Sequence, residues 1–537
     1  MTFEEKLKSL PPQEVWEEYC GFLDLSMDKY MDIQSRLLLE QIDLMSNCEL
    51  GKRFFGAKPP KSIDEFRDMV PLTKYENYAD ILLTKCENML PAAPVIWLST
   101  TWEGGDHPFK CAPYTDAMLE VYRRNILGAM LLSTSNKRGA FHVRPHARVL
   151  YSLAPLPYAS GLFPNLVAPE ISIEFLPPIK DSQKLSFTQR CKKGFQMGIS
   201  GGMDQFYGMT SIVYSMSKSF GDTSRGGTLR DAMAMSPKML VRYLKARYRS
   251  KRDGVSITPG DIFRLDGFVC VGTDTSLYKN ELESLWGRRP LEVAGGTETC
   301  LLGTETWSKD GLVFYPDNCF YEFIPESEME KNLADESYIP RTYLMDELSA
   351  GEKYELVITV LKGGAFMRYR VGDIYRCIRL NNAHDGINLP QFEYIDRIPT
   401  VIDIDGFTRI TEREIETVIE LSGVRVRDWI ALKEHDGKKH SYLQMYAELD
   451  PEAAVRGVAD AMVLKEHLSV YFRCFDSDYN DLKRLIGVDP LNITLLKSGA
   501  IAAFEAKGQK IKRLNPRKQD VVDLLRFSGF ERGRDGN

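Results

Sequence analysis

The 537-residue chain predicts an α/β protein in two unequal parts: a large body of β-sheets flanked by helices, and a small α+β domain at the carboxyl end. Three observations carry this expectation. Between Gly267 and Gly296 a short apolar run, Phe268 to Val271, precedes Leu277, Leu282 and Leu285 at helical spacing, and Leu291 to Ala294 then closes a strand–helix–strand unit. Phe320 to Ile324, Tyr354 to Val360 and Ala365 to Arg370 read as successive strands, with Asp373 following a glycine at the end of the last. After Arg397 the texture changes: Thr411 and Glu414 have capping-box spacing, and the stripe Ile415, Val418, Ile419 and Leu421 ends at Gly423. We place the boundary at Asp396, giving domains 1–396 and 397–537, the second of roughly 140 residues, enough for one small domain.

The remaining segments fit that frame. From Gln13 to Asn47 the apolar residues Trp16, Tyr19, Phe22, Leu23, Leu37, Leu38, Leu39, Ile42 and Met45 recur at helical spacing, lightly broken at Ser26. Residues 53–95 read as a short mixed segment. From Val95 the pattern turns to short β-rich runs separated by Gly and Pro, as in Val149 to Leu153 before Pro155 to Gly161. The Arg242 to Arg252 basic run reads as the exposed face and end of a helix.

Composition excludes several classes of function. Lys and Arg total 69 against 75 Asp and Glu, a net charge of −6, which argues against a general nucleic-acid or anionic-membrane binder. Any phosphate site must then be local. The ten cysteines are scattered without a Cys-x-x-Cys, which suits a reducing compartment, and the seven histidines form no metal-binding spacing. Met1 to Leu10 is rich in Lys and Glu with no apolar core, and no run approaches the roughly 18 apolar residues of a membrane helix, so a cytoplasmic location is expected.

Three stretches could carry chemistry. Ser99 to Lys110 is a hydroxyl- and Gly-rich stretch after the apolar run Val95 to Leu98; hydroxyls and backbone N–H groups there can cradle phosphate, with Lys110 as a point charge. Its spacing is not that of a Walker loop, and a surface turn is the alternative. Gly295-Gly-Thr-Glu298 would let a flat ring approach the backbone while Glu298 meets a Mg²⁺ bound to phosphates; an ordinary strand-to-helix turn is the alternative. In Arg368-Tyr-Arg-Val-Gly-Asp373 the carboxylate could accept from ribose hydroxyls, or it could pair with Arg368 or Arg370.

In this order, and followed by Pro390-Gln-Phe-Glu-Tyr-Ile-Asp-Arg397, the three stretches resemble the adenylate-forming enzyme superfamily. Tyr354 to Thr359, Arg368 to Asp373, Pro390 to Phe392 and Phe320 to Pro325 are similar to words of the plant auxin-responsive acyl-acid amido synthetase family and its microbial relatives. Arg36 to Leu39 and Val70 to Tyr75 fit that family's amino-terminal segment.

The resemblance implies a ligase that activates a carboxylic acid with ATP and Mg²⁺ and passes the acyl group to an amine, typically an amino acid. It carries the phosphate loop onto Ser99, Thr100, Thr101, Gly104 and Gly105, with Lys110 as the catalytic lysine. The adenine-side turn becomes Gly295, Gly296, Thr297 and Glu298, with Glu298 as a catalytic and metal-side carboxylate. Asp373 corresponds to the ribose-binding aspartate and Arg397 to a hinge-side arginine. A mobile carboxy-terminal domain is implied, with a catalytic lysine near its end; Asn515 stands about where some relatives carry it, so the candidates are Lys512 and Lys510, and a solvated basic turn is the other reading of that segment. Two further functions stay open: thioester formation with coenzyme A, and a degenerate nucleotide-binding protein, since Thr101 and Trp102 stand where relatives have smaller residues. The expected partners are small molecules, an acid with an amino acid or coenzyme A, and neither nucleic acid nor membrane.

Overall fold

The structure is a computed structural model of the chain, and it describes all residues except 101, 102, 104–106, 108, 226–234, 407, 438, 451–456, 476–482, 484–488, 507–510 and 529–537. The chain divides into two compact units, one of residues 1–100 and 110–396, the other of 101–109 and 397–537.

In the larger unit the strands are β1 (Ile96–Ser99), β2 (Cys111–Tyr114), β3 (Ala147–Ser152), β4 (Ile173–Leu176), β5 (Gln205–Met209), β6 (Gly267–Val271), β7 (Leu291–Gly296) and β8 (Cys300–Glu305). They continue as β9 (Leu312–Phe314), β10 (Cys319–Pro325), β11 (Lys353–Val360), β12 (Tyr369–Arg379) and β13 (Gln391–Arg397). Eleven of them form one sheet, ordered β10-β11-β12-β13-β9-β8-β7-β6-β5-β3-β4, while β1 and β2 pair as an antiparallel hairpin. From β4 to β7 all pairings are parallel; from β7 onward the recorded ones are antiparallel. The expected β-α-β unit is present as β6, the helix Thr275–Trp286 and β7. Its strand β7 is where the sheet changes character, and the carboxyl end of a parallel strand at such a junction is where ligands gather.

The antiparallel half curls. Phe323 of β10 stacks on Phe392 of β13 at 5.5 Å and 2°, although three strand spacings separate the two in the sheet order. Laid flat, those strands would stand about 14 Å apart. Phe314 of β9 completes the stack at 4.5 Å from Phe392. Buried glutamines of the helix Met27–Ser46 fasten this half to the amino-terminal segment: Gln34 donates to Pro316 and Cys319 carbonyls and accepts from Tyr321, and Gln41 donates to Gly364. That helix starts where the sequence broke, at Ser26, whose hydroxyl accepts from Lys29 N–H. Leu37, Leu38, Ile42 and Met45 face the core, while Leu39 is exposed.

One expectation needs correction, and one alternative falls. The third strand does not run from Ala365 to Arg370 but from Tyr369 to Arg379, because Gly363 and Arg368 both take positive φ (86° and 44°) and turn the chain first. Asp373 therefore lies inside a long strand, after a kink at Gly372 (φ 83°), and not at a strand end. Gly295 to Glu298 is also no strand-to-helix turn, since β7 returns directly as antiparallel β8 through Thr297, Glu298 and Thr299.

The smaller unit holds the hairpin β14 (Val401–Ile404) and β15 (Thr408–Thr411), and a sheet of β16 (Val426–His435), β17 (Ser441–Leu449) and β18 (Leu491–Leu496) in the order β16-β17-β18. The helix Glu412–Ser422 has the reciprocal Thr411–Glu414 cap and stops at Gly423, which takes the left-handed φ of 67°. Ile430, Leu432 and Tyr446 of the sheet pack with Leu496, Val521 and Leu524 in its own core. The basic run of the larger unit lies on the helix Pro237–Asp253, as expected. No helix among the described residues is long and apolar enough to cross a membrane.

Candidate functional site

The site begins in the β1–β2 hairpin. Thr100 N–H donates to the Lys110 carbonyl at 3.0 Å and the Thr100 hydroxyl accepts from Lys110 N–H at 3.1 Å, closing the base of the loop predicted to cradle phosphate. Thr101, Gly104 and Gly105, also predicted there, lie outside the described residues. The Thr297 hydroxyl donates to the Ser99 carbonyl at 3.2 Å, and Tyr114 O–H donates to the Thr297 carbonyl at 2.6 Å, so the hairpin is tied to the β7–β8 turn. Ser99, Thr100, Lys110 and the segment Gly295 to Glu298 are thus neighbours.

At the centre, Lys110 Nζ stands 3.8 Å from Glu298 Oε1, and the Tyr369 hydroxyl accepts from Lys110 at 3.3 Å and donates to Glu298 at 3.2 Å. Lys110 also lies 5.8 Å from the centre of the Tyr75 ring. Tyr75 is itself fixed, accepting from Cys111 N–H at 2.7 Å, and burial pushes its hydroxyl well up, so it stays protonated. A Cβ on Gly296 would sit 3.9 Å from Glu298 Oε2 and 3.3 Å from the Thr299 hydroxyl, so glycine keeps the space over the carboxylate open. Glu298 is largely buried, and among the described residues no group of three or more His, Cys, Asp or Glu could hold a metal ion. One carboxylate with no further ligands suits a Mg²⁺ that arrives coordinated by substrate phosphates, which is how this ion is usually held.

Asp373 lies on the same strand as Tyr369, four residues further on. Arg368 and Arg370 are committed elsewhere: Arg368 forms a two-pronged pair with Glu322 (3.0 and 2.9 Å) and Arg370 one with Glu355 (2.7 and 2.6 Å). The alternative reading of Asp373 as their partner therefore fails.

Arg397 and Lys512 belong to the smaller unit. Arg397 donates to Glu103 at 3.2 Å, and Glu103 also pairs with Arg409, whose Nε reaches Asp403 at 3.1 Å. Burial presses the Arg409 guanidinium down to about 10. Lys512 is exposed, whereas nearby Asn515 takes φ 43° and donates its amide to the Val401 carbonyl at 2.7 Å, a structural tether between segments. Lys510 lies outside the described residues.

A cavity of about 500 Å³, mouth included, shares a wall with the β7–β8 hairpin: Val293 and Leu301 line one side, Ile126 of the helix Asp116–Thr134, Val269 of β6 and Leu153 after β3 the others. Its hydroxyls are already spent on protein acceptors: Tyr122 donates to Ala159, Ser160 to Ala154 and Tyr207 to Gln205. Sequence reasoning missed Tyr75 and Tyr369 as site residues, although both stood inside the quoted words Val70 to Tyr75 and Arg368 to Asp373. It missed Glu103 because a lone carboxylate in a Gly-rich loop carries no signal of its partners.

Over 96% of the chain and 97% of the other, the structure is similar to an acyl acid amido synthetase, GH3.15, in complex with 2,4-DB (TM-score 0.52, 15% identity). It is also similar over 96% of both chains to 2-hydroxyisobutyryl-CoA ligase in complex with 2-HIB-AMP and CoA (TM-score 0.58, 14% identity). At such identities these likenesses concern the fold. More particularly, residues 20–151 match the GH3 family N-terminal domain and residues 312–397 the GH3 family central domain. It is 31% identical over 115 residues to an indole-3-acetic acid-amido synthetase, GH3.2, of Arabidopsis thaliana, and 30% over 113 residues to a probable one of Oryza sativa subsp. japonica. Those matches cover 21% of this chain and 19% and 17% of the relatives' lengths.

Proposed function

We propose that this protein is an ATP-dependent ligase that converts a carboxylic acid to an acyl adenylate and then transfers the acyl group to an amine, an amino acid being the expected acceptor. The observation that carries the reading is the Lys110–Tyr369–Glu298 cluster at the parallel-to-antiparallel junction, on a chain that matches two GH3 family domains. In the first step a substrate carboxylate oxygen bonds to the α-phosphorus of MgATP and the bond to pyrophosphate breaks. In the second an amine nitrogen bonds to the acyl carbon, AMP leaves and the amine loses a proton. Neither step needs a protein nucleophile, so the protein's task is alignment and charge stabilisation.

In this reading Ser99, Thr100, Thr101, Gly104 and Gly105 embrace phosphate oxygens and Lys110 neutralises charge growing on the carboxylate and α-phosphate. Glu298 faces the Mg²⁺ of MgATP, Gly295, Gly296 and Thr297 border adenine, Asp373 holds ribose, and the acid's apolar body fills the cavity beside β7 and β8. The body 1–396 binds ATP and acid, and the part 397–537 moves between half-reactions, bringing Arg397 and Lys512 into play. The cytoplasm is the compartment where such chemistry and ten unpaired-by-spacing cysteines both fit.

The test is acid-dependent exchange of labelled pyrophosphate into ATP over a panel of aryl and aliphatic acids. Exchange should require an acid and vanish in Asp373→Ala; silence across the whole panel would sink the enzymatic reading and favour a nucleotide binder without turnover. A second reading, thioester formation with coenzyme A, is motivated by the likeness to 2-hydroxyisobutyryl-CoA ligase. Products with coenzyme A and none with amino acids would select it.

A further inference from the structure

Arg190, in the first turn of the helix Phe187–Gly201, is only 4% exposed, yet among the described residues no carboxylate lies within ion-pairing distance of it. One Nη donates to the Leu153 carbonyl, the rings of Tyr151 and Phe187 stand 5.6 and 5.3 Å from the guanidinium carbon, and Nε has no hydrogen-bond partner. The buried Tyr151 hydroxyl beside it is answered only by the Ser182 side chain and offers Arg190 no charge. Burial depresses the guanidinium's proton affinity, and only Cys191 and Tyr151 oppose it, so no acidic side chain answers the charge. A buried cation without an anion weakens a fold, and replacement by an apolar residue of similar volume is then often neutral or stabilising. A residue kept at such a cost points to an anion that comes and goes.

Its position says which. Tyr151 and Leu153 are two residues apart at the carboxyl end of β3, so both face one side of the sheet, and they pack in the same core as Phe163 and Tyr207, which with Leu153 wall the cavity. Strands β3, β5, β6 and β7 are parallel neighbours, so their carboxyl ends lie along one edge. Three strand spacings, about 14 Å, separate β3 from β7 and its Glu298 turn. The cavity is charge-free between these two ends, and its wall hydroxyls are committed.

We propose that Arg190, which reaches the Leu153 carbonyl behind the cavity wall, is a carboxylate-binding residue, serving a carboxylate of a small-molecule substrate other than the one being adenylated. Its source is either the far end of a dicarboxylic acid or the α-carboxylate of an amino-acid acceptor. The inference rests on the proposed function for its substrates, but its first test does not need turnover. Thermal melts of the full chain and of Arg190→Met are compared in buffer, with adipate and with alanine. Arg190→Met should melt no lower than the parent in buffer, and should lose the upward shift that adipate or alanine gives the parent. In exchange assays, a dicarboxylate source predicts that Arg190→Met cuts the preference for adipate over hexanoate, read as kcat/KM, at least tenfold. An acceptor source predicts the same loss for alanine over ethylamine in amide formation. Arg190→Lys should recover part of either preference, since it restores the charge without the fork. A variant that melts well below the parent in buffer marks Arg190 as a structural residue and overturns the proposal. So does a parent that shows neither a carboxylate-dependent melting shift nor a preference for adipate or alanine. If the parent exchanges with no acid at all, the proposed function fails while the melting comparison still decides the role of Arg190.

Discussion

Lys110 and Glu298, 188 positions apart in the chain, stand 3.8 Å from each other with the Tyr369 hydroxyl bonded to both. The ammonium is held between a carboxylate, a phenol and an aromatic face, and its side chain is only 17% exposed. A cation so restrained needs little reorganisation when negative charge develops beside it, which is the form of catalysis an acyl-adenylate step requires.

Removing that cation should therefore be costly. Lys110→Met is expected to lower kcat/KM for pyrophosphate exchange by about 10² to 10³, on the scale of losing one preorganised charge-stabilising donor. Tyr369→Phe, which frees both partners but keeps the ring, should cost about tenfold. Steady-state exchange kinetics check both, and an unaffected Lys110→Met would remove the residue from the site.

The pH dependence of stability should reveal a buried trio in the β6–β8 region. Lys279 Nζ pairs with Glu305 and stands 3.7 Å from Glu292, so two carboxylates share one ammonium. Burial first, and then repulsion from Glu305, push the Glu292 carboxyl up to about 7, against an ordinary value of 4.5. Because the folded value is raised, the contribution is fully present below about 4.5 and is lost as pH rises through about 7. Glu292→Gln should thus be more stable than the parent at pH 8 by about 1–3 kcal/mol and even out at pH 4.5, as urea melts at both pH values would show.

In the smaller unit Glu103 faces two buried guanidinium groups, Arg397 and Arg409. Glu103→Ala removes the carboxylate both share, leaving Arg409 with Asp403, and should destabilise this unit by up to about 3–5 kcal/mol, the usual cost of breaking a buried pair from one side. Adding Arg409→Met to it should recover part of the loss. Calorimetry of the full chain reads the two transitions, and a double variant no better than the single one would contradict this account.

The curl of the antiparallel half depends on its aromatic stack. Phe392→Ala removes the ring shared by Phe314 and Phe323 and should cost about 3–5 kcal/mol of unfolding free energy by equilibrium denaturation, as for other buried Phe truncations. Phe392→Leu should cost distinctly less because most of the volume is kept.

Much of the fold was legible from the chain. The helix that starts at Ser26, the Thr411–Glu414 cap with its Gly423 stop, and the β6–helix–β7 unit are all set by interactions within about ten residues, where periodicity and capping chemistry act directly. The start of β12 was misplaced because Gly363 and Arg368 turn the chain through positive φ, a geometry that apolar patterning does not register. The strand-to-helix alternative for the turn after β7 fell only to the structure, since Gly-Gly-Thr-Glu permits either a helix or a return strand.

The amino-acid sequence alone determined the class of architecture, its change of texture near Arg397, and the candidate residues Ser99, Lys110, Glu298 and Asp373, because these are carried by local pattern and by contiguous words of residues. Only the tertiary structure decided which groups meet. It set Tyr369 between Lys110 and Glu298, gave Arg368 and Arg370 to Glu322 and Glu355, and left Arg190 buried with no carboxylate beside it among the described residues. Such pairings depend on how distant strands register and what their packing excludes from water, and neither has any expression in residues adjacent along the chain.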